Sequence, residues 1–361
     1  MTWNPPHSPD SPARARSAAD LRRRLAWWAI AACAPYLTLK LLWIVGVDIG
    51  IVDTGKISRG QWIAANLLTF VMDAVAAAVA HALTRPRIKR GRSWPILLPL
   101  WIASGLLGVI MIAVPLSCGG ALVGGSGNPF AGDDLLRGWV YAVVYSGFII
   151  EGTVLIGAFA LYAHERWGDF LRTRVRDLPA LPERRRPLIR YAGVLTALLL
   201  LTAAAPRLLW ASGGDLGMTD AWTANRDTNA RWLDFTQGVL ALVGCAGTLA
   251  LVLGRGGCRT RVPLSAAWVG IGGTFGAGGW MGLISLTAAP GSEAADRTSV
   301  LLTLVYTAEM TTGLLALTAG WYFLSHSTAH TTNVTRTMDI TGTVDPTRTA
   351  PTARTTRISA S

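Results

Sequence analysis

Eight stretches of this chain are apolar for about 20 residues or more, the length needed to cross the hydrocarbon core of a bilayer as a helix. They are Leu25–Gly46, Trp62–Leu83, Trp94–Leu116, Trp139–Tyr162, Tyr191–Trp210, Trp232–Leu253, Leu264–Thr287 and Val300–Phe323. Many of their ends carry Trp or Tyr, the residues that favour the membrane–water interface. The pattern predicts an all-α polytopic membrane protein with eight transmembrane helices and short links between them. It divides into a polar, disordered arm (1–24), a first four-helix half (25–163), an Arg-rich connector (164–190), a second four-helix half (191–324) and a Thr-rich tail (325–361). The tail has few large apolar residues, so it is expected to be disordered.

Composition agrees with a bilayer as solvent. Of 361 residues, 51% are hydrophobic and 15% charged, against about 25% charged in soluble domains. The formal net charge of +12 raises the question of nucleic acid. The basic residues lie in the links between apolar runs, which speaks against a nucleic-acid surface. With the N-terminus placed in the cytoplasm, 25 of the 33 Lys and Arg fall on the cytoplasmic side and 7 on the other. That asymmetry predicts that both termini are cytoplasmic. Arg far outnumbers Lys, a bias that fits a high-GC bacterial genome, and the expected location is a bacterial plasma membrane.

One segment occurs twice. Lys40-Leu41-Leu42-Trp43-Ile44-Val45-Gly46-Val47-Asp48-Ile49-Gly50 returns 167 residues later as Arg207-Leu208-Leu209-Trp210-Ala211-Ser212-Gly213-Gly214-Asp215-Leu216-Gly217. Trp101 and Gly105 correspond to Trp268 and Gly272 at the same offset, and Tyr145 with Gly152 resembles Tyr306 with Gly313. A parallel 4+4 internal repeat is expected, one of the arrangements transporters use. The repeated stretch itself reads as an anchor: a cation snorkelling to the outer headgroups, a belt Trp, and an Asp-Gly exit.

Charges within the spans carry the functional question, because each costs roughly 2.5–3.5 kcal/mol at the bilayer centre on insertion scales. At about 1.5 Å per residue, Asp73, Glu151 and Glu309 lie roughly 14–18 Å below the outer ends of their helices. Lys40, Arg207 and Asp234 lie higher. Together, Lys40, Asp73, Glu151, Glu309, Arg207 and Asp234 form a candidate intramembrane ion network. Helical spacing adds Asn66 and Thr69 on the face of Asp73, Gln237 on the face of Asp234, and Tyr306 on that of Glu309. Tyr36, Lys40 and Trp43 share a face of the first span. Such stripes either hold helices together by hydrogen bonds or line a hydrated path, and both readings stay open. The acids do not fall at equivalent positions in the two halves, so any path is asymmetric.

Other features point to packing. Gly270, Gly272, Gly276, Gly278 and Gly282 in the seventh span form small-xxx-small pairs that let helices approach closely. No strand precedes these glycines and their spacing does not match a nucleotide-binding turn. The five His and four Cys show no metal-ligand spacing and no disulfide framework, so no metal, no cofactor and no catalytic residue is expected. The outer loop from Gly127 to Gly138, with Asp133 and Asp134, reads as solvated.

The run Pro35-Tyr36-Leu37-Thr38-Leu39-Lys40-Leu41-Leu42-Trp43, followed by Gly46 and Gly50, resembles the first helix of uncharacterised multi-pass integral membrane proteins of high-GC Gram-positive bacteria, in which it reads P-Y-x-x-L-[KR]-L-x-W. The resemblance covers about 20 residues and implies membrane insertion without an assigned activity. Three functions then compete. The first is a small-solute or ion transporter using the intramembrane charges. The second is a non-transporting scaffold or sensor whose tail or connector binds a partner. The third is a membrane-embedded enzyme built on Asp48, Asp215 or Asp234. Beyond the lipid bilayer and an unknown solute or ion, a partner is expected at the cytoplasmic tail or the connector.

Overall fold

The structure, a computed structural model, describes residues 12–54, 57–85, 94–122, 128–131, 135–178, 183–184, 186–224, 226–254, 257–287, 296 and 298–341, except for the side chains of 12–15 and 321–341. The described part is helical: α1 (Pro12–Val45), α2 (Arg59–Leu83), α3 (Trp94–Leu122), α4 (Gly138–Arg172), α5 (Arg186–Ala211), a short α6 (Asp220–Ala224), α7 (Thr228–Leu253), α8 (Arg261–Thr287) and α9 (Val300–Thr341). Among the described residues, eight of these helices are long and apolar enough to cross a membrane, as the hydrophobic pattern predicts, and none forms a strand.

Local chemistry sets several helix ends. Ser58 caps α2: its side chain accepts from the Gln61 amide while the Gln61 side chain accepts from the Ser58 amide, a reciprocal box that satisfies two otherwise orphaned donors. Asp227 caps α7 by accepting from Ala230 N at 2.9 Å, and Gly254 ends it in the left-handed conformation (φ 63°). Near its end α4 bends at Trp167, where φ is −129° and ψ 25°.

Four apolar faces meet in the first core, with Ala26 and Ala29 from α1, Val79, Ala80 and Leu83 from α2, Leu100 and Leu107 from α3, and Leu155, Ala158 and Tyr162 from α4. A second core joins Trp101 of α3 to Ala197, Leu200 and Ala204 of α5, Ala241 and Cys245 of α7, and Ala267 and Ile271 of α8. The crossing of α3 and α8 is close because Gly105 lies against the Gly272 carbonyl, where a Cβ would collide with backbone. Trp101 Nε1 donates to Trp268 O at 3.1 Å, and Trp268 Nε1 donates to Ser104 Oγ at 3.1 Å. Gly270 against Gly244, and Gly276 against Leu106, make α8 the close-packing helix its composition predicts.

The connections gather at the two ends of the helices. At one end, Val52 N donates to Leu135 O and Arg137 N to Gly50 O, joining the segment after α1 to the one before α4. At the other, Val175 N donates to Cys258 O, while Thr260 donates to Thr173 O through both its amide and its hydroxyl.

Two expectations about the chain ends are corrected. The arm expected to be disordered through residue 24 is helical from Pro12, and Arg22 within it is buried, donating to the Leu83 carbonyl and lying 3.5 Å from Glu165. The reason is that Arg22 satisfies a terminal carbonyl of α2 that would otherwise lack a partner. At the other end, Thr318–Ser361 forms a unit of its own. It is helical to Thr341, past Ser325, where polarity alone predicted no structure. No Gly or Pro lies between Gly320 and Gly342 to stop it. The acidic loop positions Asp133 and Asp134 and the tail beyond Thr341 lie outside the described residues.

Candidate functional site

The six charged residues singled out in the sequence fall into two sets, one built on α1, α2 and α4 and the other on α5, α7 and α9.

The first set is a ladder between α1 and α2. These helices run in opposite directions, so residues rising along α1 meet residues descending α2. Lys40 Nζ donates to Asn66 Oδ1 at 2.9 Å and lies over the rings of Tyr36 (4.9 Å) and Trp43 (5.0 Å). One turn inward the Tyr36 and Thr69 side chains face each other. Thr69 Oγ1 donates to the carbonyls of Ala65 and Asn66 in its own helix. Another turn inward are Cys33 and Asp73, joined from α4 by Glu151. Ligand atoms of these three buried residues all lie within 4.8 Å of one another. Below this level the interface becomes apolar, with Ala26, Ala29, Val79, Ala80, Leu155 and Ala158 closing it. From Lys40 to Cys33 is seven residues, roughly 10 Å of polar file.

In the second set every carboxylate oxygen is paired. Arg207 of α5 donates through Nε and Nη2 to the two Glu309 oxygens of α9, at 3.0 Å each, and through Nη1 to Asp234 Oδ1 of α7 at 2.9 Å. Asp234 Oδ2 accepts from Arg226 Nη2 at 2.5 Å, and Arg226 also reaches Gly214 O and Met218 S. The Arg207 guanidinium sits over the rings of Trp210 (5.8 Å) and Tyr306 (5.5 Å). Gly278 lets the α8 backbone lie directly against the Glu309 side chain. Two guanidinium groups thus face two carboxylates, in the forked geometry that suits Arg to buried ion pairs.

The repeated stretch takes the same backbone path twice. Trp43 Nε1 donates to Ile49 O at 2.9 Å, and Trp210 Nε1 to Leu216 O at 3.0 Å. Gly46 and Gly50 have φ of 100° and 76°, Gly213 and Gly217 of 103° and 73°, values that exclude most side chains. Gly50 packs on Trp139 and Val140 at the start of α4, and Gly217 on Leu301 at the start of α9. This geometry corrects the anchor reading. Arg207 is 3% exposed and fully paired, so it does not snorkel, and Trp43 and Trp210 are buried (2% and 0%), so neither is a belt residue. Their indoles instead satisfy the carbonyl of the turn that ends the helix. Lys40 is turned inward to Asn66 rather than outward.

Of the supporting residues, Asn66 and Thr69 join the ladder and Tyr306 the second set. Gln237 is buried with its Oε1 receiving no hydrogen bond. Sequence reasoning missed Cys33 and Arg226 as members. Cys33 stands seven residues before Lys40 on the same helical face, which was a usable signal. Arg226 lies in a loop, where no periodicity marks it. No protein-family model matches the chain, and no curated protein or solved structure is similar to it.

Proposed function

We propose that this protein is a cation carrier of a bacterial plasma membrane, with the first four helices holding the cation-binding file. What supports the reading is the contrast between the two sets. In the second, every carboxylate oxygen meets a guanidinium. In the first, Asp73 and Glu151 lie at mid-helix depth, and among the described residues no cation forms an ion pair with either. Lys40, the nearest, gives its hydrogen bond to Asn66. Acids buried within a membrane-spanning bundle are costly, and substrate and ion pathways are among the sites they mark. The Lys40 level is the mouth of the file and the apolar layer at Ala29 and Val79 is its floor.

The positive-inside distribution places the end with Arg22 and the Thr173–Thr260 link in the cytoplasm, so the file opens outward. The twice-used cation–Trp–Gly stretch supports a parallel 4+4 repeat in which one half is specialised for ions. Under this reading the Arg207 set is structural and holds α5, α7 and α9 together. Purified protein in liposomes is expected to conduct cation flux that Asp73→Asn and Glu151→Gln abolish while folding is kept. Flux at unmodified levels in both variants would refute the carrier. So would its absence from well-folded wild-type protein under every cation gradient, which favours the scaffold reading.

A further inference from the structure

Beneath the Lys40–Asn66 and Tyr36–Thr69 levels, the file ends in one sulfur and two carboxyl groups supplied by three different helices. Cys33 comes from α1, Asp73 from α2 and Glu151 from α4, with ligand atoms all within 4.8 Å of one another. We infer that this trio is a binding site for a borderline-soft divalent transition-metal cation of the zinc type. The inference rests on the carrier reading and names the class of its substrate.

Two observations beyond the clustering lead to it. First, Asp73 is only 6% exposed, yet its Oδ2 receives no hydrogen bond from the protein. A buried carboxylate oxygen without a donor is costly, and its neighbours in the cluster are a thiol and another carboxyl, neither of which is a standing cation. Second, the donor set is mixed. Two carboxylates alone would suit magnesium or calcium, which take many oxygens. A sulfur ligand instead selects thiophilic or borderline ions.

The geometry is close to what such an ion needs. With bonds of about 2.0 Å to oxygen and about 2.3 Å to sulfur in a tetrahedron, ligand atoms stand roughly 3.4 Å apart. The trio's ligand atoms all lie within 4.8 Å of one another, a separation from which such a tetrahedron can be closed. Three protein ligands leave a fourth position for water, the arrangement of exchangeable rather than purely structural sites. An ion that must leave again fits that arrangement. Lys40 stays two turns above, held by Asn66 and the two rings, close enough to bias entry without ligating. The Arg207 set offers nothing comparable, because its carboxylates are already taken.

The test uses the full chain without a histidine tag, in detergent, with the exposed Cys258 replaced by Ser so that its thiol does not compete. Cobalt(II) is the probe. The expected result is one equivalent bound with a sulfur-to-cobalt charge-transfer band in the near ultraviolet. Cys33→Ser removes the band, Asp73→Asn and Glu151→Gln each weaken binding by at least about tenfold, and Cys245→Ser changes nothing. A band that persists in Cys33→Ser, or no binding above that of the Cys33→Ser/Asp73→Asn/Glu151→Gln triple variant, overturns the inference. A second measurement needs no variant at the site: zinc should protect Cys33 from alkylation during partial unfolding, read by mass spectrometry of its peptide. Alkylation at the same rate with and without zinc also overturns it. Cation flux that depends on Asp73, without cobalt binding, refutes the metal and keeps the carrier. Cobalt binding without flux of any cation does the reverse.

Discussion

Replacing Arg207 by Met tests whether the second set is structural, and its geometry fixes the size of the effect. Arg207 and Glu309 have side chains 4% and 1% exposed, so solvent does not screen their interaction. Removing one partner of such a pair leaves an uncompensated buried charge and costs about 3–5 kcal/mol, roughly a hundredfold or more in the folding equilibrium. Arg207→Met and Glu309→Met should each lose that much. The double variant Arg207→Met/Glu309→Met should not lose the sum. It removes one positive and one negative charge, and it leaves Asp234 paired with Arg226 at 2.5 Å. Its cost reduces to the hydrogen bond from Arg207 Nη1 to Asp234, about 1–3 kcal/mol. The coupling energy of the cycle is therefore expected to reach at least about 3 kcal/mol. Reversible unfolding in mixed detergent micelles, followed by tryptophan fluorescence, measures all four corners, and Trp210 beside Arg207 serves as a local reporter. A single Arg207→Met variant within about 1 kcal/mol of the unmodified protein would show that the guanidinium is solvated. A double variant as unstable as the two singles combined would show that the pair is not the unit of stability.

Further expectations concern packing and the helix ends. Gly105→Val should lower the unfolding midpoint by about 1–3 kcal/mol of stability, because the new side chain meets the Gly272 backbone. Gly279→Ala, with open space at its Cβ, serves as the neutral control. Gly217→Ala combines a positive φ with a collision against Leu301. It should cost at least about 1 kcal/mol in the same assay, whereas Gly60→Ala should cost nothing measurable. Arg22→Met removes a charged donor from the Leu83 carbonyl and should cost about 1.5–3 kcal/mol; it should also speed hydrogen exchange at the end of α2. A maleimide should label Cys258 in the folded protein and leave Cys33 and Cys245 unlabelled until unfolding. Immediate labelling of Cys33 would show that its helix interface is open.

The sequence specified the spans well because the bilayer allows few solutions: a run of apolar residues with Trp or Arg at its ends has little choice but to be a helix. Every expected span lies within an observed helix to within a residue or two. What remained hidden was which charges are partners. Asp234 and Glu309 are 27 and 102 residues from Arg207 along the chain, and periodicity along one helix says nothing about which helix lies opposite. Depth estimates put Arg207 near an interface and suggested snorkelling. Burial by α7 and α9, which no single-helix argument contains, reverses that. Asn66, Thr69 and Asp73 were recognisable as one stripe because they share a helix. That Lys40, Tyr36 and Cys33 face them rung by rung follows only once α1 and α2 are known to be antiparallel neighbours. Cys33 was set aside for the same reason, since its ligand partners lie on two other helices.

Formal charge separates the two sets more sharply than position does. Arg207 and Arg226 against Asp234 and Glu309 sum to zero, and each of the four carboxylate oxygens accepts from a guanidinium. Every carboxylate oxygen of that set is taken, so any ion entering would have to displace a guanidinium. Lys40 against Asp73 and Glu151 leaves one carboxylate over, with a thiol beside it and an apolar floor beneath. A protein interior tolerates such an excess when the carboxylates are neutralised, by protonation or by a cation. The same backbone motif therefore presents its cation to two different surroundings. With Arg and two committed acids the result is a strut. With Lys held by Asn66, the two acids and the Cys33 sulfur cluster on one another instead.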